Sequence, residues 1–497
     1  MNPQDQLIKN RLDKLQRLRE LGIDPYPFRF ERSHALGDVQ ERAETLIGAG
    51  TSISVAGRLI ALRKQGATTF ANLLQDGRRL QIYVNREVLG EAAYQVFKCL
   101  DLGDFVGVHG TVFRTNTGEV SVKVERCEVL AKATRPLPVP KVKVEGDQAT
   151  VFDQFGDVEQ RYRQRYLDLV LNEDVAAVFR HRSAIVRTIR AYLERHDYLE
   201  VETPTLQPIY GGANARPFIT HHNALDMKLY LRVSNELYLK RCIVGGFERV
   251  FEFVKDFRNE GIDRTHSPEF TQLEFYQAYA DYQDMMVHFE TIYAEACIAV
   301  NGKPSTVYQG TVLDFTPPWR RLPMLEAIEQ YAGLDVETLS DDRLVGLLAE
   351  KEVKLQGNYL RGLAIAKLFE AYCEEHLVQP TFVTDHPEET TPLCKHHRTR
   401  SNLVERFEPY IHGWEVGNAY SELNDPQIQR RLFEDQERRG RGGEDETHPM
   451  DEDFLRSVEY GMPPTGGVGM GIDRMVMLLT DQRTIRDVIL FPLLRQD

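Results

Sequence analysis

Cysteine is scarce: six residues among 497 (Cys99, Cys127, Cys242, Cys297, Cys373, Cys394), with no CxxC pair, support neither a disulfide framework nor a zinc ribbon. Cys394 with His396 and His397 lacks a second cysteine at ligand spacing, which counts against a metal cluster there. Long hydrophobic runs are missing too, since none approaches the roughly 18–20 apolar residues of a membrane span. The opening stretch MNPQDQLIKNRLDKLQRLRELG has no apolar signal-peptide core and reads as an amphipathic, mixed-charge helix. A cytoplasmic protein with no membrane partner is expected. A surplus of positive charge is also absent: the net charge of −14 excludes a wholly basic nucleic-acid coat. That charge is uneven. Residues 1–150 carry 22 Lys and Arg against 18 Asp and Glu, net +4, and the remainder 39 against 57, net −18, so the N-terminal part is better suited to meet phosphates.

What is present is a soluble composition, 42% hydrophobic and 27% charged, on a chain long enough for two or three domains. Residues 52–135 read as five short strands, with hairpin turns at Gln75-Asp76-Gly77-Arg78 and Asn116-Thr117-Gly118 and a helical piece, EAAYQVFKCL, after the third. That is the order of an OB-fold barrel, a fold that stacks nucleic-acid bases on exposed aromatics. Phe70 and Gln81 fall on successive strands; Arg63, Lys64, Arg78 and Glu128 are equally well explained as solvated rim. Pro136, Pro138 and Pro140 alternate in RPLPVPKVKVEG and enforce an extended chain. The expected organisation is an α+β protein: a helical extension over 1–50, the barrel over 51–145 and a second domain over 146–497.

The stretch 248–282 organises the rest. ERVFEFVKDFR puts Phe251, Phe253 and Phe257 on one strand face and Glu252, Val254, Asp256 and Arg258 on the other; after a polar loop, Phe270, Gln272, Glu274 and Tyr276 share a face of the return strand. One side is ordinary core. The other collects a guanidinium, a carboxylate, a ring and a phenol, which suits a charged, partly flat ligand. Elsewhere, Ile185, Ile189 and Leu193 mark an amphipathic helix before YLEVETP, and Asn418, Tyr420 and Glu422 alternate onto one strand face. Gly467, Gly469 and Gly471 alternate before a helix that begins near Arg474; with no βαβ unit they are weak as a dinucleotide fingerprint, and they would leave a flat floor for a nucleotide.

FRNEG, His266 and PEFTQLE resemble motif 2 of the class II aminoacyl-tRNA synthetases, and the extension EFYQAYADY resembles their lysine-specific branch, of the bacterial type. The helix and strand of 180–206 resemble motif 1, the homodimer interface; 465–480 resembles motif 3; 320–400 resembles the helical insertion between motifs 2 and 3. The resemblance implies an antiparallel catalytic sheet flanked by helices, activation of L-lysine with ATP and Mg²⁺, and transfer to tRNA. It further implies that Arg258 bridges carboxylate and α-phosphate, that Glu260, His266, Phe270 and Arg474 hold ATP, and that Glu408 and Glu415 hold the metal. Gly212, Glu236, Glu274, Tyr276, Asn418, Tyr420 and Glu422 would receive lysine, with Glu422 on its ε-ammonium; for Glu236 alone, a carboxylate at a helix N-terminus is a competing explanation. Phe70, Gln81 and Glu128 would read the anticodon. Pro409, Trp414 and the stretch Cys394–His397 depart from the family pattern. Two other enzymes stay open at this point: a sister aspartate or asparagine synthetase, and a paralogue that lysylates a protein, although such paralogues lack the barrel.

Overall fold

The computed structural model describes residues 3–138, 141–145, 148–152, 155–355, 358–441 and 449–495. The chain divides into two compact units, Met1–Ala176 and Ala177–Asp497. Near its end the first unit carries two short helices, Val158–Arg163 and Arg165–Leu171, broken at Gln164. Residues 139–140, with Pro140 among them, and 146 of the proline-rich stretch lie outside the described residues.

In the first unit, β1 (Ser52–Gln65), β2 (Thr68–Gln75), β3 (Arg78–Asn85), β4 (Phe105–Arg114) and β5 (Val120–Ala131) close into a barrel of order β1-β2-β3-β5-β4. Alternation explains the closure: Val55, Leu59, Leu73, Ile82, Val84, Val106, Val108, Val122 and Val124 all point inward and are fully buried. The β2–β3 turn is built on Asp76 and Gly77, both at positive φ (51° and 69°), the pairing a two-residue hairpin loop requires. Helix Glu91–Lys98 follows β3 and seats Tyr94 and Phe97 on the barrel core.

The second unit is built on one large sheet. Its strands are β6 (Leu199–Glu200), β7 (Arg249–Phe257), β8 (Glu269–Ala278), β9 (Arg320–Pro323), β10 (Thr381–Pro387), β11 (Leu403–Ile411), β12 (Gly417–Ser421) and β13 (Thr465–Gly471), in the order β9-β10-β11-β12-β13-β8-β7-β6. The interior pairings are antiparallel; only the two edge pairs, β6 with β7 and β9 with β10, are parallel. One face carries Phe251, Leu273, Phe275, Phe382, Phe407, Ala419, Val468 and Met470 against helix Tyr282–Asn301, which offers Met285, Phe289, Ile292 and Tyr293, and against helix Ile472–Leu479. Ile185, Ile189 and Leu193 of helix Glu173–Arg195 join that core.

The 320–400 stretch is helical only in part. Helices Met324–Ala332, Asp341–Glu350 and Arg361–Tyr372 pack on a core of their own around Leu344, Leu368 and Phe369, while β9 and β10 from the same stretch extend the sheet. Pro409 leaves the β10–β11 register intact, paired with Phe382; the irregularity falls between Thr384 and His386, where Asp385 takes φ 61°. Trp414 packs edge-on against Tyr308, with centroids 5.5 Å apart. The stretch after Cys394 is tied down by ion pairs: His396 to Glu388 at 3.2 Å, and Arg398 to Asp281 at 2.7 Å and to Glu405. Among the described residues no group of three or more His, Cys, Asp or Glu is placed to hold a metal.

Candidate active site

The polar face of the large sheet is assembled by register. Glu274 sits opposite Glu252 and Gly469, Tyr276 opposite Val250 and Gly467, and Asp256 opposite Phe270. Asn418 and Tyr420 of β12 flank Gly469 and Gly467 from the other side, and Arg406 of β11 lies opposite Tyr420. Strands β8, β11 and β12 thus aim side chains into one cavity of about 380 Å³ bordered by the glycines of β13 and lined also by Gly212, Glu236, Arg258, Glu415 and Arg474.

Glycine is required by contact at Gly467, while a side chain at Gly469 would displace Gln272. A Cβ on Gly467 would run into Glu422 Oε1 and the Tyr276 ring, and one on Gly469 would lie 2.8 Å from Gln272 Nε2. Gly467 and Gly469 of β13 are therefore the two glycines across which neighbouring segments lay pocket side chains. Gly212 differs: φ is +88°, and a Cβ would stand 2.7 Å from Ser234 Oγ.

At the inner end, four carboxylates are buried. Glu252 accepts from Thr203 (N 3.0 Å, Oγ1 2.7 Å) and Asn235 Nδ2 (2.8 Å) and pairs with Arg232 at 3.2 Å, which fixes the residue that begins helix Glu236–Val244. Glu274 accepts from Ser234 Oγ, Gln272 Nε2 and Tyr276 OH, each at 3.0 Å. Glu236 and Glu422 both pair with Lys240, whose Nζ is 2.5 Å from Glu236 Oε1. Burial, then the charges of Asp256 and Glu236, hold Glu274 well above the usual carboxylate range. Burial also pushes Glu422 up to about 8, against Lys240 and with Glu236 adding.

At the outer end, Arg258 stacks over Phe270, 5.1 Å from its centroid, and its buried Nε has no protein partner among the described residues. Asp256 behind it is pushed up to about 7 by burial, with Arg232 and Arg258 opposing. His266, exposed, meets Arg474 Nη2 at 3.1 Å and Asp263 at 2.8 Å, and Arg474 donates to the Glu415 carbonyl. Glu415 lines the cavity with its side chain exposed; crowding by the surrounding cleft, then the charge of Glu408, raises its proton affinity.

The family model described as tRNA synthetases class II (D, K and N) matches residues 157–495, and that of an OB-fold nucleic acid binding domain matches 53–130. The chain is a class II tRNA synthetase of the D, K and N group. Curated relatives of this synthetase agree. It is 49% identical over 498 residues to a lysine–tRNA ligase of Moorella thermoacetica, covering 100% of this chain and 99% of the relative. It is 47% identical over 494 residues to one of Clostridium novyi (98% and 94%) and 49% identical over 494 to one of Roseiflexus castenholzii (99% of each).

Of the residues singled out from the sequence of this synthetase, one cavity gathers Gly212, Glu236, Arg258, Glu260, His266, Phe270, Glu274, Tyr276, Glu415, Asn418, Tyr420, Glu422 and Arg474. Glu408 faces a neighbouring cavity, held by Arg406 and by Tyr410 OH at 3.0 Å. In the barrel, Phe70 packs on Tyr83 (5.1 Å between centroids), and Gln81, on the same face, is held by Glu119 at 2.9 Å and Ser121 at 2.8 Å. Glu128 belongs to a different cluster, with His109 at 3.2 Å and Arg126 at 3.4 Å. Sequence reading passed over Arg406, whose Nε donates to Asn418 Oδ1 at 2.9 Å. The signal was available: Arg406 and Glu408 alternate on one face of a strand. It also passed over Lys240, one helical turn after Glu236.

Proposed function

We propose that this synthetase joins L-lysine to ATP as lysyl-adenylate, with release of pyrophosphate, and passes the lysyl group to the 3′-terminal adenosine of its tRNA. The observation that carries the substrate is the cavity floor: three buried carboxylates, Glu236, Glu274 and Glu422, face it. A pocket so lined suits a ligand bearing two ammonium groups, because a neutral side chain would leave a buried charge unpaired. An aspartate pocket needs the opposite sign. The lysine–tRNA ligase relatives support the same reading.

In this reading Glu236 takes the α-ammonium beside Gly212, Glu422 takes the ε-ammonium, and Tyr420 and Asn418 lie along the stem. Arg258, its Nε unpartnered, draws together the substrate carboxylate and the α-phosphate, and Phe270 and Arg474 sandwich the adenine. His266 approaches the outer phosphates and Glu260 the adenine edge. No side chain acts as a nucleophile; positioning and charge neutralisation drive the step. Glu408 and Glu415 would offer the oxygen donors Mg²⁺ prefers, and the charge of Glu408 that raises Glu415 suits the presence of a cation. When bound, the metal would neutralise charge on the ATP phosphates. The barrel would read the anticodon through Phe70 and Gln81, with Glu128 at the rim, and the enzyme would work as a cytoplasmic homodimer. Among the described residues no helix is long and apolar enough to cross a membrane.

Pyrophosphate exchange with each of the twenty amino acids tests this function. Lysine alone should support exchange; dependence on aspartate or asparagine, or no exchange, overturns the reading. Phe70→Ala should leave that exchange unchanged and weaken tRNA charging by about tenfold or more, the worth of one base stack. A loss in both assays would refute the barrel's assignment.

Acidity provides a second test. Glu422, at about 8, holds a proton in the free enzyme at neutral pH, yet the ε-ammonium requires it ionised. Lysine binding then releases a proton, so KM for lysine should fall by up to about tenfold per pH unit from pH 6.5 to 8 and level off above, while KM for ATP stays flat. The same sign governs stability. The contribution of this raised carboxyl to folding is complete below its ordinary value of 4.5 and lost as pH rises through about 8, so lysine should raise Tm more at high pH than at low.

A further inference from the structure

Lys240 is wholly buried and is not among the residues that line the cavity. It stands one turn after Glu236 on helix Glu236–Val244, with Nζ 2.5 Å from Glu236 Oε1 and paired also to Glu422 Oε2. The two carboxylates it joins come from segments nearly 190 residues apart in sequence, 422 against 236. Both line the cavity, and they are the groups assigned above to opposite ends of the amino acid. A core has no need of this arrangement: a buried ion pair is seldom more stable than apolar residues of the same volume, and desolvating three charged groups is costly. The charges balance once a substrate is counted. Glu236 and Glu422 share one resident ammonium, while among the described residues Glu274 accepts from the uncharged donors Ser234, Gln272 and Tyr276. A ligand with two ammonium groups would favour the ionised forms of these carboxyls and supply the cations they lack.

We propose that Lys240 is a positioning residue for amino-acid recognition: from behind the cavity wall it clasps Glu236 and Glu422 and leaves one oxygen of each free for an ammonium of a diamino acid. The inference rests on the lysine reading above. It makes the two ends of the pocket interdependent, because one buried cation serves both carboxylates, and it adds a requirement for two ammonium groups that neither carboxylate imposes alone.

Lys240→Met, assayed by pyrophosphate exchange, should raise KM for lysine by about tenfold or more, with kcat and KM for ATP each within about twofold of wild type. Lys240→Ala removes the equivalent of propylammonium, so that cation should recover part of the lost affinity whereas 1-propanol, matched in size but uncharged, should not. An unchanged KM for lysine, parallel losses for lysine and ATP, or equal rescue by the two additives would reduce Lys240 to a packing residue and overturn the proposal. Should Lys240→Met fail to fold, Lys240→Arg carries the test: a rise confined to KM for lysine supports the clasp, and no rise or a joint loss overturns it. Wild-type enzyme is assayed alongside. If it shows no lysine-dependent exchange, the substrate reading fails; normal wild type with an unaffected variant fails this inference alone.

Discussion

Arg258→Gln is expected to lower lysine-dependent pyrophosphate exchange by about 10³-fold or more, with the fold and Tm little changed. The site sets the size of the effect. Arg258 is held just beyond the end of β7 by its stack on Phe270, within reach of the field of the buried Asp256 carboxyl, and has a buried Nε with no protein partner among the described residues. That guanidinium is prepared for two anions that must meet: a carboxylate and an α-phosphate, between which negative charge builds in the transition state. Glutamine keeps the length and some hydrogen bonding but removes the charge and the fork. Rates at saturating lysine and ATP distinguish this from a binding defect, since kcat should carry most of the loss. A fall confined to either KM would mean that Arg258 holds one substrate and does not bridge the two.

Glu422→Gln should raise KM for lysine by about 10²-fold or more and leave KM for ATP within about threefold. The amide is nearly isosteric, so the Gly467 clearance on which the carboxylate rests is kept, and what is lost is charge. The variant leaves both the incoming ε-ammonium and Lys240 short of a counterion in a fully buried setting. Its signature is selectivity: measured by exchange kinetics and by ATP binding in the absence of amino acid, the lysine term moves and the nucleotide term does not. Equal losses for the two substrates would show that Glu422 supports the sheet and leave the specificity determinant elsewhere.

The β7–β8 hairpin was readable because it is local. Side-chain period two put Phe251 and Phe275 on one face and Glu274 and Tyr276 on the other, and the observed register, Phe251 opposite Phe275 and Glu252 opposite Glu274, is the one that pattern demands. The barrel was equally legible, since its strands are consecutive and its turns carry residues that tolerate positive φ. Less legible was the job of the glycines in β13. Alternation alone suggested a flat floor for a nucleotide; the neighbours of that strand, β8 and β12, come from far away in sequence, and only their side chains show that Gly467 is bare for Glu422 and Tyr276. Strand β9, four residues at a sheet edge beside helices, is too short to announce itself.

The amino-acid order by itself determined the two-part α+β architecture, the family and most of the charged residues that line the cavity, because strand period, turn chemistry and motif spacing are properties of adjacent residues. Tertiary structure decided how those residues act on one another. Lys240 reads as one more lysine on an amphipathic helix until the sheet carries Glu422 to it; only then is there a shared buried cation, a raised carboxyl and a pocket whose charges await a diamino acid. The physical reason is that Coulomb energy and desolvation depend on distances through space, which local sequence pattern does not encode.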